Sequence, residues 1–264
     1  MRWMLAAAIV ALFWGASEAP AADCAADFKT RVAAGDECLV IGVYGAPAAK
    51  TTMVVFIHGD GSRGGASDYL FPTAETYGAP GVVAVGLIRP GYYDSSDNRS
   101  TGESYRREGD GYKPHIVDAV AAALRNLKSH FGAARVVLAG HSGGAAISGV
   151  IMGKYPGLAD AAVLAACPCN VPEWRVLRRG RNNWTESLSP HDFIDGIAEG
   201  AEIVAITGGG DRNTGPILAR EYVEAVTARG IKARFIKLPD VSHNGAARSD
   251  AFKDAVRRLV AGDS

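Results

Sequence analysis

The chain has no net charge: 28 lysines and arginines balance 28 aspartates and glutamates over 264 residues. Nucleic-acid binding usually leaves a basic surplus, so a nucleic-acid partner is not expected. The acidic excess of a solvating tail is missing too. Beyond the first residues no apolar run approaches the roughly 18 residues that mark a membrane span, so no stable membrane insertion is expected. Cysteine is scarce, at 4 residues. No histidine or further cysteine stands near Cys167 and Cys169 at zinc-site spacing, so no metal is expected. No internal repeat, low-complexity tract or second domain boundary breaks the chain. What is abundant is glycine, at 32 residues, and apolar residues, at 48%. The second supplies a core; the first announces tight turns and close backbone approaches.

The first segment reads as an address. Met1 and Arg2 give a positive start, and Met4 to Trp14 run MLAAAIVALFW without a charge. Ala19-Pro20-Ala21 and Pro20-Ala21-Ala22 follow as cleavage sites of the A-x-A kind. This order describes a secretory signal peptide over residues 1–22, with residues 23–264 as a single exported domain, periplasmic or secreted. An uncleaved anchor is the alternative, but the run falls short of the about 20 residues that span a bilayer. Asp23 stands before Cys24 where lipidation would want a small residue. Export makes the cysteines disulfide candidates. More than one connectivity is open; the local pairing, Cys24 with Cys38, would pin the mature N-terminus to the first strand. Cys167-Pro168-Cys169 reads as a structural disulfide or two buried thiols rather than a metal or redox site.

From residue 38 onward short apolar, β-branched runs alternate with helical patterns. The runs are 38–44, 52–57, 82–88, 135–139, 161–166, 202–207 and 233–238, nearly continuous in hydrophobicity, as strands buried on both faces should be. Helices are expected over 66–77, 114–131, 142–155, 215–229 and 250–260. Pro114 suits a first helical position and Gly132 a C-cap. The alternation predicts an α/β fold, a mostly parallel twisted sheet with helices on both faces, whose functional residues gather at the C-terminal strand ends. Residues 167–190 show no period, and a loop of that length is functional or mobile; a helix is expected after it, over 191–199.

Gly140-His141-Ser142-Gly143-Gly144 follows one of these strands and precedes a small-residue helix. This is G-x-S-x-G in the strand–turn–helix setting of a nucleophile elbow, with Ser142 as nucleophile. A serine needs a base, and the base an orienting acid. His243 and Asp211 each lie just past a late strand, on the edge that Ser142 occupies. His58, His115, His130, His141 and His191 are rival bases, and Asp192, Asp195 and Asp240 rival acids; Asp211 could also be a plain turn residue. The oxyanion hole needs two backbone donors. Gly143 supplies one; the loop His58-Gly59-Asp60-Gly61 supplies the other, from Asp60 first and Gly61 second. An acid beside developing negative charge is unfavourable, so the Asp60 side chain must turn away or be paired, for instance with Arg63.

His58–Gly61 (HGDG), Arg89–Ser95 (RPGYYDS), Gly140–Gly144 (GHSGG), Asp211 and His243 together resemble the α/β-hydrolase superfamily over residues 38–260, nearest to dienelactone-hydrolase-type esterases and prolyl-oligopeptidase-type catalytic domains. The resemblance implies a serine hydrolase that forms an acyl-enzyme, needs no cofactor and takes a small-molecule ester, or alternatively a small peptide. HGDG departs from the HGGG of many esterases. A short insertion replaces a large helical cap. It holds Trp174, Trp184, Arg175, Arg178, Arg179 and Arg181; the plainer reading is a solvated basic loop, the other an aromatic, cationic lid favouring aryl or carboxylate-bearing substrates. Tyr92 and Tyr93, past an early strand, are candidates to line the pocket or to pack it. Two other classes remain: a non-catalytic ligand-binding protein, and an NADP-dependent reductase, because Gly59-x-Gly61-x-x-Gly64 matches a dinucleotide fingerprint with Arg89 at the end of the next strand. No tyrosine has a lysine four residues on, as many short-chain reductases require. Oligomeric state is not legible.

Overall fold

A computed structural model describes residues 24–61, 64–105, 111–183 and 185–262. The expected signal segment, Arg63 and Trp184 lie outside these. Eight strands form one sheet: β1 (Arg31–Ala34), β2 (Glu37–Tyr44), β3 (Thr51–Ile57), β4 (Val82–Leu87), β5 (Ala133–His141), β6 (Ala161–Ala165), β7 (Glu202–Gly208) and β8 (Lys232–Leu238). Their order across the sheet is β1-β2-β4-β3-β5-β6-β7-β8. The β1–β2 and β2–β4 pairs are antiparallel and the rest parallel. Parallel strands need crossovers, and helices lie within them: α1 (Phe71–Glu75), α2 (Pro114–Phe131), α3 (Gly143–Lys154), α4 (Val171–Arg179) and α5 (Pro216–Ala228); α6 (His243–Ala246) and α7 (Asp250–Ala261) follow the last strand.

Two cores lie on the two faces. Along β3, Met53, Val55 and Ile57 face one core with Val120, Leu124, Ile147 and Tyr222, from α2, α3 and α5. Val54 and Phe56 face the other, with Ala74, Phe252 and Val256 from α1 and α7. Period-two alternation therefore persists in strands whose sequence looks uniformly apolar, because both faces are covered.

Several expectations change. The helix over 66–77 contracts to α1, with residues 66–70 in loop, bends and turns. The aperiodic stretch contains α4, capped by the Asn170 side chain, which accepts from the Glu173 N–H, and ended by left-handed Gly180 at φ 72°. The helix over 191–199 is a 3-10 turn, Pro190–Gly196. β1 was not expected; its four residues are too short to show a period. β8 is an edge strand with exposed positions alternating, not a strand buried on both faces. Cys24 pairs with Cys38, which lies on the second strand rather than the first, and Cys167 pairs with Cys169. Among the described residues no helix is long and apolar enough to cross a membrane.

Candidate active site

Ser142 occupies the single residue between β5 and α3, at φ 52° and ψ −117°, a region that non-glycine residues seldom enter. The turn is over-determined. The Ser142 N–H donates to the Ala165 carbonyl at 2.8 Å. A Cβ on Gly144 would collide with the Ile57 carbonyl, so the helix can start there only as glycine. The result is an Oγ projecting from the C-terminal edge of the sheet, above the start of a helix buried on every side.

The three side chains read from the sequence are brought together. Ser142 Oγ lies 3.0 Å from His243 Nε2, and His243 Nδ1 lies 2.9 Å from Asp211 Oδ2. His243 opens α6 rather than standing on a plain loop. Asp211 is held as an ion by its own turn: Oδ1 accepts from the N–H groups of Asn213 at 2.8 Å and Thr214 at 3.0 Å. Oδ2 accepts from Thr214 Oγ1 at 2.8 Å. Burial pushes the Asp211 carboxyl up, but hydrogen bonding and charge from His243 and these turn donors outweigh it and hold it below the ordinary value. Thr214 Oγ1 also lies 3.1 Å from His243 Nδ1, so one buried hydroxyl touches both acid and base. None of the rival histidines or acids reaches Ser142 in this way among the described residues.

His141 has a different task. Tyr69 Oη accepts from the Gly59 N–H at 2.7 Å and sits 2.6 Å from His141 Nδ1. His141 Nε2 is 3.3 Å from the His243 carbonyl. With Tyr69 donating to Nδ1 and Nε2–H facing the carbonyl, a neutral ring satisfies every contact. Burial, then neighbouring His243, lowers His141 to about 3, so it stays neutral and holds the backbone of the base.

Asp60 is paired among the described residues, which do not include Arg63. Its Oδ1 accepts from Arg89 Nη1 at 2.8 Å and its Oδ2 from Tyr112 Oη at 2.5 Å. Arg89 has no solvent exposure. Its main-chain N–H donates to His58 Nε2 at 2.9 Å, and its guanidinium lies 5.1 Å from the Tyr92 ring centre. A Cβ on Gly143 would collide with the Asp60 carboxylate and fall 2.8 Å from Arg89 Nη1. The ion pair thus lies directly behind the two residues whose N–H groups were expected to form the oxyanion hole. Gly143 opens α3, where the first N–H groups have no intrahelical acceptor.

A cavity of about 550 Å³ opens over Ser142 and His243. Asp60, Gly61, Tyr69, Trp174, Arg175, Arg178, Arg179, Asn213 and Arg248 are among its walls. The insertion is in part no solvated loop: Trp174 and Arg175 are buried, and Trp174 donates through Nε1 to the Asn213 carbonyl at 3.0 Å, while Arg178 and Arg179 are exposed. Arg181 is exposed and away from the cavity. Tyr92 and Tyr93 do not line it either. Tyr92 packs, fully buried, on His58 and Arg89, and Tyr93 lies under Arg99, 4.5 Å from ring centre to guanidinium carbon. Tyr69 takes the wall position instead. The local geometry does not favour the dinucleotide reading: among the described residues no helix starts between Gly64 and Phe71, and Arg89 is spent on Asp60. Among the described residues no group of three or more His, Cys, Asp or Glu is placed to hold a metal.

No protein-family model matches the chain, and no curated protein matches it in sequence. Solved structures do match. Est1E from Butyrivibrio proteoclasticus, solved with ferulic acid bound, superposes with a TM-score of 0.67 at 14% identity, covering 88% of this chain and 98% of that one. The propionate-bound esterase Est2 from Thermogutta terrifontis gives 0.61 at 18%, covering 86% and 90%. The Pyrococcus horikoshii acylaminoacyl peptidase gives 0.62 at 12%, covering 85% of this chain but 39% of that one.

Proposed function

The chain has the α/β-hydrolase fold, and from this premise and the site we propose that it is an exported serine hydrolase that cleaves carboxylic esters. One observation carries the reading: a strained elbow serine whose Oγ is 3.0 Å from a histidine that is itself 2.9 Å from a buried aspartate. In this reading Ser142 Oγ attacks the ester carbonyl while His243 Nε2 takes its proton. The N–H groups of Asp60 and Gly143 receive the developing oxyanion. Collapse breaks the C–O bond, and His243 returns the proton to the departing alcohol. Water then attacks the acyl carbon while His243 takes one of its protons; the Ser142 Oγ–acyl bond breaks, His243 returns that proton to Oγ, and the acyl group leaves as a carboxylic acid. Asp211 holds the imidazole tautomer and stabilises the imidazolium. Export is supported by the Met1–Ala22 composition and by two cystine pairs.

The test is active-site labelling. A fluorophosphonate probe should modify Ser142, mapped by peptide mass, and Ser142→Ala should lose both labelling and hydrolysis of 4-nitrophenyl acetate with an unchanged melting temperature. Full turnover by Ser142→Ala would sink the assignment. A fold with an intact melt but no labelling of the native chain would favour the non-catalytic reading.

A further inference from the structure

The cavity over Ser142 is uneven in charge. Four guanidinium groups, from Arg175, Arg178, Arg179 and Arg248, stand in its described wall, against one carboxylate, Asp60. That carboxylate is already engaged from behind by Arg89 and Tyr112. The remaining walls are histidine, tyrosine, tryptophan, asparagine, serine and small residues. The arginines line the cavity from two elements: three from α4, of which Arg178 also donates through Nη1 to the Arg212 carbonyl at 3.3 Å, and the fourth from the turn after α6. Arg175 is almost fully buried, with the Trp174 ring centre 4.1 Å from its guanidinium carbon. Burying an ion is costly, and here like charge is gathered around an open space instead of being dispersed. Burial, then the charge of Arg179, brings Arg175 down to about 10, still cationic at neutral pH.

The geometry points to a substrate that carries a carboxylate group in addition to the ester that Ser142 attacks, with Arg178 and Arg248 as specificity-determining residues and the Trp174 and Tyr69 rings as its apolar walls. Guanidinium forks match a planar carboxylate, and charge-assisted pairs are stronger than neutral ones. A substrate carboxylate relieves the crowding of like charge, which a neutral ester cannot do. This inference rests on the serine-hydrolase reading for the chemistry, though not for the binding.

The experiment uses matched esters that differ in charge: 4-nitrophenyl hemisuccinate against 4-nitrophenyl butyrate for the acyl side, and 4-acetoxybenzoate against its methyl ester for the leaving side. In at least one pair kcat/KM should favour the charged ester by about ten-fold or more, the scale of one charge-assisted hydrogen bond. That ratio should collapse toward unity in Arg178→Gln/Arg248→Gln. A ratio at or below unity in both pairs, or one that survives in the double variant, overturns the inference. Binding of benzene-1,4-dicarboxylate, followed by calorimetry on Ser142→Ala and on the same protein with both arginines replaced, reads the subsite without turnover. Binding that is lost with the arginines supports it even if no ester is cleaved, whereas no binding, or binding indifferent to them, overturns it.

Discussion

Replacing Arg89 with methionine perturbs the site without touching any reacting side chain. Arg89 is fully buried and is the ion-pair partner of Asp60, 2.8 Å away. Asp60 Oδ1 sits so close to Gly143 that no Cβ fits there, so the carboxylate lies a few ångströms behind the proposed oxyanion. In Arg89→Met that carboxylate keeps, among the described residues, the Tyr112 hydroxyl. Two unit charges about 5 Å apart at an effective dielectric of about 20 repel by about 3 kcal/mol. Raised onto the barrier, that is a loss of about 100-fold in kcat. KM for a neutral ester should barely move, because the repulsion appears only as the oxyanion forms. Removing one partner of a buried pair also costs about 3–5 kcal/mol of stability, so the melting temperature must be followed and assays run well below it. Asp60→Asn/Arg89→Met removes the charge that does the harm and should recover most of kcat; Arg89→Lys keeps the cation and should lie nearer the native enzyme. The assay is kcat and KM on 4-nitrophenyl acetate for the native chain and these three variants. If the double variant is no faster than Arg89→Met while both are folded, charge compensation is not what Arg89 does.

Two other expectations follow from the network around the base. Thr214→Val deletes the hydroxyl that touches Asp211 and His243; one hydrogen bond to a charged group is worth about 1.5–3 kcal/mol, so kcat should fall by about ten-fold or more with KM little changed. Thr214→Ser should restore it, and a Thr214→Val enzyme at native kcat would show that the hydroxyl is idle. His141 stays neutral in the folded chain down to about 3, against an ordinary value of 6.5. Above that ordinary value neither state binds the proton; as pH falls from there the unfolded chain takes it up first, so stability is lost toward the folded value by about 1.4 kcal/mol per pH unit. Urea unfolding of His141→Gln between pH 7 and 4 should show a shallower slope by up to that amount; an identical slope would mean that His141 titrates alike in both states.

The α2 helix was legible to the residue, because Pro114 and Gly132 mark its ends chemically and its apolar face repeats at helical spacing. The α4 helix was not. Its inward face is made of Val171, Trp174 and Arg175, and a buried arginine breaks any pattern that counts only apolar residues. β8 was misjudged for the converse reason: an edge strand keeps apolar residues although one side meets solvent. Ser142, Asp211 and His243 could be read because each follows a strand, and a parallel sheet puts all such ends on one edge. Asn213 and Thr214 carry a local signal, since an aspartate two and three residues before free N–H groups forms an Asx turn. Tyr69, Arg89 and Tyr112 had none. Their contacts join positions 72, 29 and 52 residues apart, and only the folded sheet edge decides them.

Asp60 shows how such distant contacts change the chemistry of a motif. By itself an acid in the expected oxyanion loop argues against catalysis; with Arg89 beneath it, the same acid is a paired charge. The cavity therefore faces its substrate with three α4 arginines and Arg248 against a single described carboxylate that Arg89 and Tyr112 already engage, so in the proposed reaction oxyanion stabilisation and anion selection draw on the same sign of field. Salt separates them. Arg178 and Arg248 are exposed and so subject to screening over about 10 Å at 0.1 M salt, whereas the Arg89–Asp60 pair is shielded from ions by burial. Raising ionic strength should erode the preference for a charged ester and leave kcat on a neutral ester in place. A preference that survives molar salt would place its origin in shape rather than charge.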